Sequence, residues 1–414
     1  MSRVVGLTSR DPQGKPLIAR PTVEELRKRA RALVQTLHAN SEEIERNRRV
    51  SPENMQMLRD ADLFRLMRPA RFGGYEYGFT ELLDIGSEIG RGCGSTAWCY
   101  GLVVIHQWML SLFPADVQDE IFSANPDIII CGSYAPAAQA EAVDGGWLIK
   151  GRWGFASNCD NADWCLTGVH FPADEASGGR PVAGFLLVPR SQYEIEDNWH
   201  TVGLAGTGSK NVVIREDVFV PRGRMLTFPQ AASNNPPGAQ VNRNPIYRIP
   251  FLAAIPVAIV APALGMVQGA LDEFLEMAAH RTTRGATAGG GRQMAEFQSV
   301  QLRVAEAAAN LDAAKLLLYR DLRDVEEGAA SGQFISVDKR IRNRRDQAFA
   351  IKLCTEAVNA LFAAVGGSGL FLSSGVQRAW RDVHAVAKHV SLNWDAVGTM
   401  YGQHQLGLPP QGQY

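Results

Sequence analysis

The chain has 414 residues, 46% of them hydrophobic and 21% charged, an ordinary globular composition that can bury a large core without disulfides or metals. Its 42 basic and 43 acidic residues leave a net charge of −1, which argues against nucleic acid or an anionic membrane as the main partner. Cys93, Cys99, Cys131, Cys159, Cys165 and Cys354 form no CxxC pair and no zinc-spaced cluster, so they read as reduced thiols of a cytoplasmic protein with no metal site.

Residues 1–20 are polar, lack the apolar core of a signal peptide and read as a loose arm. Thr22-Val-Glu-Glu then opens a helix with a capping-box pattern, Thr22 paired with Glu25. Helical spacing runs through Leu33, Leu37 and Ile44. Ser51-Pro-Glu-Asn starts a second helix, with proline at its first position and Met55, Leu58 and Leu63 on its apolar side. Residues 68–74 form a loop, and further helices are expected near 80–90 and 96–112. From Ile128 the pattern changes to short runs rich in β-branched and aromatic residues, broken by Gly, Pro, Asn and Asp. Gly145-Gly146 fits a hairpin turn. About six or seven strands follow, enough for a small antiparallel barrel or sandwich. Residues 226–250 are rich in Pro and Asn and read as a linker or long loop. Pro250–Met266 is apolar but shorter than a membrane span and carries three prolines, so it reads as the start of a buried helix. Ala295–Tyr319 and Arg344–Val365 are Ala-rich with few breakers, and the Gly-rich stretch 285–293 interrupts the helical pattern. The expected organisation is α+β: a helical domain over 1–127, a β domain over 128–225 and a helical bundle over 226–414.

Five segments, in order, carry a family resemblance: LRDADLFRLMRPARFGGYEYG, GRWGFASNCDNADWCLTG, VGLAGTGSKNVVIREDVFVP, RQMAEFQSVQLRVAEAAANLDAAK and AVGGSGLFLSSGVQRAWRDVHA. They resemble the acyl-CoA dehydrogenase superfamily across nearly the whole chain. The resemblance implies an N-terminal helical domain, a middle antiparallel β-barrel and a C-terminal four-helix bundle. CGSTAW at 93–98, His106-Gln-Trp108, FASNCDNADW and GLAGTGS are similar to one branch, the oxygenase components of two-component flavin-dependent (group D) aromatic monooxygenases. Dehydrogenases of the superfamily place a catalytic glutamate shortly after an Arg-Asp pair. Here Arg381-Asp382 is followed by VHAVAKHVSLNWD, with His389 at about that place. Abstracting an α-proton from a thioester needs a base such as that glutamate.

The resemblance implies that reduced flavin, FAD or FMN, reacts with O2 to form a C4a-hydroperoxide that hydroxylates a phenol, indole or fused-ring substrate. It assigns His389 to hydroperoxide stabilisation and proton transfer, a task suited to imidazole; on its residues alone His389 is a histidine capping a helix. It places His106 at the substrate hydroxyl, with Ser133 nearby, although a lone histidine in LVVIHQWML is otherwise a hydrogen-bonded core residue. Ser157 falls near flavin N5. Asn158 follows it where the family has glycine. Trp153 and Phe155 are assigned to the aromatic wall beside the ring, or else to the core of the β domain. Thr207, Ser209, Arg281, Gly366 and Gly367 are candidates for flavin contacts, the last three across a subunit interface to a neighbouring subunit's flavin, against a solvated turn and a surface arginine. Trp98, Tyr100, Trp108 and Trp394 are expected to line a small apolar pocket. His384 points roughly 140° away from His389 if both lie on one helix, and reads as structural.

No GxGxxG or Walker pattern follows a strand into a helix, which fits reduced flavin delivered by a partner reductase. The resemblance also implies a homotetramer joined through its C-terminal helices. The competing readings are an acyl-CoA dehydrogenase or oxidase, a monooxygenase acting on sulfur or nitrogen, and a non-catalytic scaffold of the same fold.

Overall fold

A computed structural model describes residues 20–173, 178–283 and 291–414. The arm expected over 1–20 therefore lies outside the described residues except for Arg20, as do residues 285–290 of the Gly-rich interruption.

Five helices come first: α1 (Val23–Asn47), α2 (Pro52–Asp60), α3 (Phe79–Gly92), α4 (Gly94–Leu110) and α5 (Ala115–Ala124). The caps are those the sequence announces. Thr22 accepts the Glu25 N–H while the Glu25 carboxylate accepts the Thr22 N–H, and the Ser51 hydroxyl accepts the Asn54 N–H ahead of Pro52. Helix α4 is buried on almost every side, so each polar side chain on it must find a partner inside the protein. Gly101 allows this burial: a Cβ there would stand 2.2 Å from the Ala258 carbonyl oxygen.

The β region holds β1 (Ile130–Gln139), β2 (Glu141–Val143), β3 (Gly146–Ala156), β4 (Trp164–Phe171), β5 (Val182–Pro189), β6 (Glu194–Glu196), β7 (Lys210–Pro221) and β8 (Met225–Thr227). Gly145, at φ 74°, makes the turn between β2 and β3. The strands form two four-stranded sheets, ordered β1-β4-β5-β8 and β2-β3-β7-β6. This corrects the expected antiparallel barrel. The sheets do not close on each other, and β1 pairs β4 in parallel, from Ile130 opposite Trp164 to Gln139 opposite His170. The hairpin of β2 and β3 lies between them in the chain but joins the other sheet, so β4 returns beside β1 in the same direction.

The stretch 226–250 is built rather than slack. It forms α6 (Phe228–Ala231) and two short 3₁₀ turns. Buried Tyr247 donates to the Met67 carbonyl at 2.9 Å, and buried Asn242 donates to the Ser111 carbonyl at 2.8 Å. Then come α7 (Phe251–Ala254), α8 (Val257–His280), two two-residue strands β9 (Thr282–Thr283) and β10 (Arg292–Gln293), α9 (Gln298–Ala330), α10 (Val337–Val365), α11 (Gly375–Val386) and α12 (Trp394–Gln405). Helices α8 to α11 pack on one another, and α8 also packs along α3 and α4. Phe251–His280 is long and apolar enough to cross a membrane, yet 89% of its most apolar window is buried inside the protein, which makes it a core helix.

Candidate active site

Three elements meet around Ser157. Helix α4 supplies Trp98, whose indole N–H donates to the Ser157 hydroxyl at 3.0 Å. The turn after β3 supplies Ser157, and the turn before β7 supplies Thr207 and Ser209. Ser157 and Ser209 hydroxyls stand 2.6 Å apart, Ser209 and Thr207 hydroxyls 2.7 Å, and the Thr207 hydroxyl reaches the Leu204 carbonyl at 2.9 Å. All four side chains are buried.

His389 approaches the same place from the C-terminal side, its ring edge-on to Trp98 at 5.8 Å between centroids. It is not on the helix where sequence spacing set it: α11 ends at Val386, and His389 caps the turn Val390–Leu392 instead. Its angle to His384 therefore does not follow helical geometry. The Ser391 N–H donates to His389 Nδ1 at 3.2 Å, so the neutral ring carries its hydrogen on Nε2. No described residue takes up that N–H. Burial, then the Arg344 guanidinium, holds the His389 pKa down to about 4, so the ring is neutral near pH 7. His384 Nδ1 donates to the Trp380 carbonyl at 3.0 Å, and the ring lies against that of Trp380.

The backbone at this meeting point is strained. Phe155 (φ 61°), Asn158 (φ 62°) and Leu204 (φ 52°) are three of the six described non-glycine residues with positive φ. Such conformations cost on the order of 1–3 kcal/mol each and gather at functional sites. Asn158 takes the left-handed shape that a glycine would supply, and its N–H donates to the Thr207 carbonyl at 2.9 Å. Asp382 Oδ1 holds the Leu204 N–H at 2.6 Å, and burial pushes the Asp382 carboxyl up to about 6.

A second cluster lies eight residues further along α4. His106 is 1% exposed. Its Nδ1 stands 2.5 Å from the Ile130 carbonyl and its Nε2 2.8 Å from the Tyr134 hydroxyl. A carbonyl only accepts, so Nδ1 carries the hydrogen and Nε2 accepts from Tyr134. Burial lowers the His106 pKa to about 4 and raises that of Tyr134. Ser133, also buried, precedes Tyr134 on β1.

The other expected residues have the following surroundings. Trp108 is fully buried, donates to the Ile246 carbonyl at 3.0 Å and packs edge-on to Phe79. Tyr100 is fully buried and donates to the Leu63 carbonyl. Trp153 is fully buried and donates to the Gly168 carbonyl at 2.8 Å, inside the β region. Phe155, two residues on, is 77% exposed and meets Trp199 edge-on. Trp394, at the start of α12, lies on Phe349 and near Lys352. Arg281 donates to the Val365 carbonyl at 2.8 Å and to the Ser368 hydroxyl at 2.6 Å. It thereby braces the turn that begins at Gly366 and Gly367, away from the serine chain in sequence but joined to α10. Tyr134, Leu204, Asp382 and Arg344 were not singled out from the sequence. The first adjoins Ser133 and the third belongs to the Arg-Asp pair, so both carried a signal. Arg344 lies mid-helix in a charged stretch and carried none.

Residues 20–122 match the family described as "Acyl-CoA dehydrogenase, N-terminal domain", and residues 257–394 match "Acyl-CoA dehydrogenase, C-terminal domain". The chain is 45% identical over 394 residues to the FADH(2)-dependent resorcinol hydroxylase, oxygenase component, of Rhizobium sp. (strain MTP-10005), covering 93% of this chain and 95% of that one. Its fold is similar to that of 3-HSA hydroxylase from Rhodococcus sp. RHA1, with a TM-score of 0.87, 34% identity, and 94% and 98% of the two chains covered. XiaF from Streptomyces sp., in complex with FADH2 and glycerol, is similar at a TM-score of 0.85 with 26% identity, over 94% of this chain and 97% of that one.

Proposed function

Because this chain belongs to the flavin-dependent monooxygenases, oxygenase components built on the acyl-CoA dehydrogenase fold, we propose that it hydroxylates a small phenolic or related aromatic substrate with O2 and a reduced flavin, FAD or FMN, delivered by a separate reductase. The observation that carries this reading is the state of His389. It stands after Arg381-Asp382, is neutral near pH 7, and offers an Nε2–H that no described residue takes. Its Nδ1 lone pair is engaged, so it is a poor base for carbon acids but a good donor to oxygen. Glu296 and Glu306, the carboxylates weighed as a dehydrogenase base, pair with Arg292 and Arg303 at the surface.

The residues fit a flavin ring. Trp98 and His389 offer aromatic edges, the Ser157 hydroxyl a polar contact, and the exposed Phe155 a further apolar face. A flat heteroaromatic ring asks for that mixture. When bound, the flavin supplies the oxidising equivalent from O2; the protein holds the rings, donates to oxygen through His389 and excludes water. The Tyr134 hydroxyl gives its hydrogen to His106 and keeps lone pairs for a phenolic O–H. With Ser133 it forms the end assigned to the substrate. Eight residues separate Trp98 from His106, about 12 Å along α4, a spacing on the scale of one aromatic substrate.

We read the division as 1–127, 128–225 and 226–414, and α8–α11 as a four-helix bundle through which the chain forms a homotetramer. Exposed Leu302 and Leu316 on α9 and the exposed run Leu370-Phe371-Leu372 support an apolar contact surface there. Arg281, Gly366 and Gly367 would then hold flavin phosphate near that contact.

The test is anaerobic mixing of the protein with reduced FAD or FMN, then with oxygenated buffer, while flavin absorbance is recorded. A transient distinct from both reduced and oxidised flavin, followed by consumption of a phenol, is expected. Rapid reoxidation without a transient, joined to bleaching of tightly bound FAD by an acyl-CoA, would establish a dehydrogenase instead.

A further inference from the structure

The hydroxyl chain beside Trp98 has a direction. The Leu204 carbonyl can only accept, so the single Thr207 hydroxyl hydrogen points to it. Ser209 must then donate to Thr207, because Thr207 has no second hydrogen. Ser209 is spent in turn, so Ser157 donates to Ser209. Trp98 has only an N–H and donates to Ser157. One arrangement satisfies all four contacts: Trp98 to Ser157 to Ser209 to Thr207 to Leu204. Its far end is fixed, since the Leu204 carbonyl also accepts the Trp199 indole N–H at 3.1 Å and the Leu204 N–H is held by Asp382.

The consequence falls on Ser157. Its hydrogen is committed inward, so it meets a ligand with a lone pair only. Donation outward would leave Ser209 with an unfilled contact in a buried place, which disfavours it. Flavin N5 carries a hydrogen in the reduced ring and a lone pair in the oxidised ring. A reduced ring can donate to Ser157; an oxidised ring would set two acceptors against each other.

We propose that the Thr207–Ser209–Ser157 hydroxyl chain is a redox-state filter, which makes this site take reduced flavin and release oxidised flavin. The proposal rests on the reading that the flavin ring lies with N5 toward Ser157. Thr207 and Ser209 are positioning residues that act through Ser157. They make the oxygenase wait for a reduced flavin from its reductase and let the spent flavin leave.

The experiment measures dissociation constants for reduced FAD, anaerobically, and for oxidised FAD, on the wild-type chain and on Thr207→Val, Ser209→Ala and Thr207→Ser. The wild type is expected to bind reduced FAD at least about tenfold more tightly, the order one hydrogen bond and one avoided clash supply. In Thr207→Val the Ser209 hydrogen can swing to Ser157, and in Ser209→Ala the Ser157 hydrogen is released. Both variants are expected to bind oxidised FAD several-fold more tightly while reduced FAD changes little. Thr207→Ser keeps the direction and should keep the wild-type ratio. Parallel weakening of both forms in Thr207→Val and Ser209→Ala, or an unchanged ratio, overturns the filter. Failure of the wild-type chain to bind either form overturns the flavin reading itself, and the two failures are distinct. Should Ser209→Ala fail to fold, Thr207→Val, close to threonine in shape, still decides the matter.

Discussion

Asp382 accepts the backbone N–H of Leu204 at 2.6 Å across 178 residues of sequence, tying α11 to a left-handed residue that anchors the hydroxyl chain. Arg381 next to it pairs with Glu45 and donates to the Val202 carbonyl at 2.9 Å. The Arg-Asp pair thus stitches α1, the turn before β7 and α11 together beside Trp98.

Asp382→Asn keeps an acceptor for Leu204 but removes the charge. Burial raises the Asp382 pKa from 3.8 to about 6. A raised carboxyl pKa favours the folded state fully below pH 3.8, and that advantage is lost as pH rises through about 6. The shift corresponds to roughly 3 kcal/mol between those limits. The wild type should therefore lose stability relative to Asp382→Asn as pH goes from about 4 to 7, measured as unfolding midpoints in urea. A constant difference across that range would place the carboxyl in a far more polar setting than the structure does.

His389 titrates the other way. Its pKa falls from 6.5 to about 4 through burial first and the Arg344 guanidinium second. A depressed histidine pKa adds stability above pH 6.5 that is lost as pH falls through about 4. Arg344 is 4% exposed and bonds only to Gln347 and the Gln413 carbonyl, with no carboxylate partner among the described residues. Arg344→Met should raise the His389 pKa, followed by NMR of the ring protons. The lifetime of the oxygen-dependent flavin transient should be flat from pH 5.5 to 8 in the wild type as far as His389 sets it, and shortened by about tenfold or more in His389→Ala, which lacks the Nε2 donor.

Much of the helical frame was legible because its signals are local. Thr22 with Glu25 and Ser51 with Pro52 mark helix starts within four residues, and the structure places the caps there. The parallel pairing of β1 with β4 was not legible, because it depends on where an intervening hairpin goes. The serine and threonine of the candidate site were found through family resemblance, while the direction of their hydrogen bonds needed coordinates. His106 and Trp108, two residues apart on a helix, are turned about 200° from each other, and only a grouping by resemblance set both on one pocket. His389 was placed on a helix because nothing in HAVAKHVS breaks the helical pattern; the chain turns there because the histidine ring caps the next turn.

Arg281 joins two elements that are far apart in sequence: the end of α8 and the end of α10. Arg281→Met removes a donor from the Val365 carbonyl and the Ser368 hydroxyl. The Gly366–Leu370 turn should loosen. If it holds flavin phosphate, affinity for FAD should fall by about tenfold, the worth of one or two charge-assisted contacts, with riboflavin affinity unchanged. Equal losses for FAD and riboflavin would leave Arg281 only a brace for the turn.

Trp153 and Phe155 lie two apart on one strand, so an alternating strand would put both on one face. The positive φ of Phe155 breaks the alternation and sends the two rings to opposite fates, one fully buried and one 77% exposed. Trp153→Ala opens a cavity in the β region and should cost about 3–5 kcal/mol of unfolding free energy. Phe155→Gly removes little buried surface and relieves the left-handed backbone, offset by the entropy that glycine gains in the unfolded chain. Its stability should change by less than about 1 kcal/mol. On the proposed reading, in which the exposed ring is an apolar face for the flavin, its reduced-flavin affinity should nevertheless fall. Thermal unfolding together with an anaerobic flavin titration separates the two: loss of stability without loss of affinity would make Phe155 a packing residue of the Trp199 contact and remove it from the flavin site.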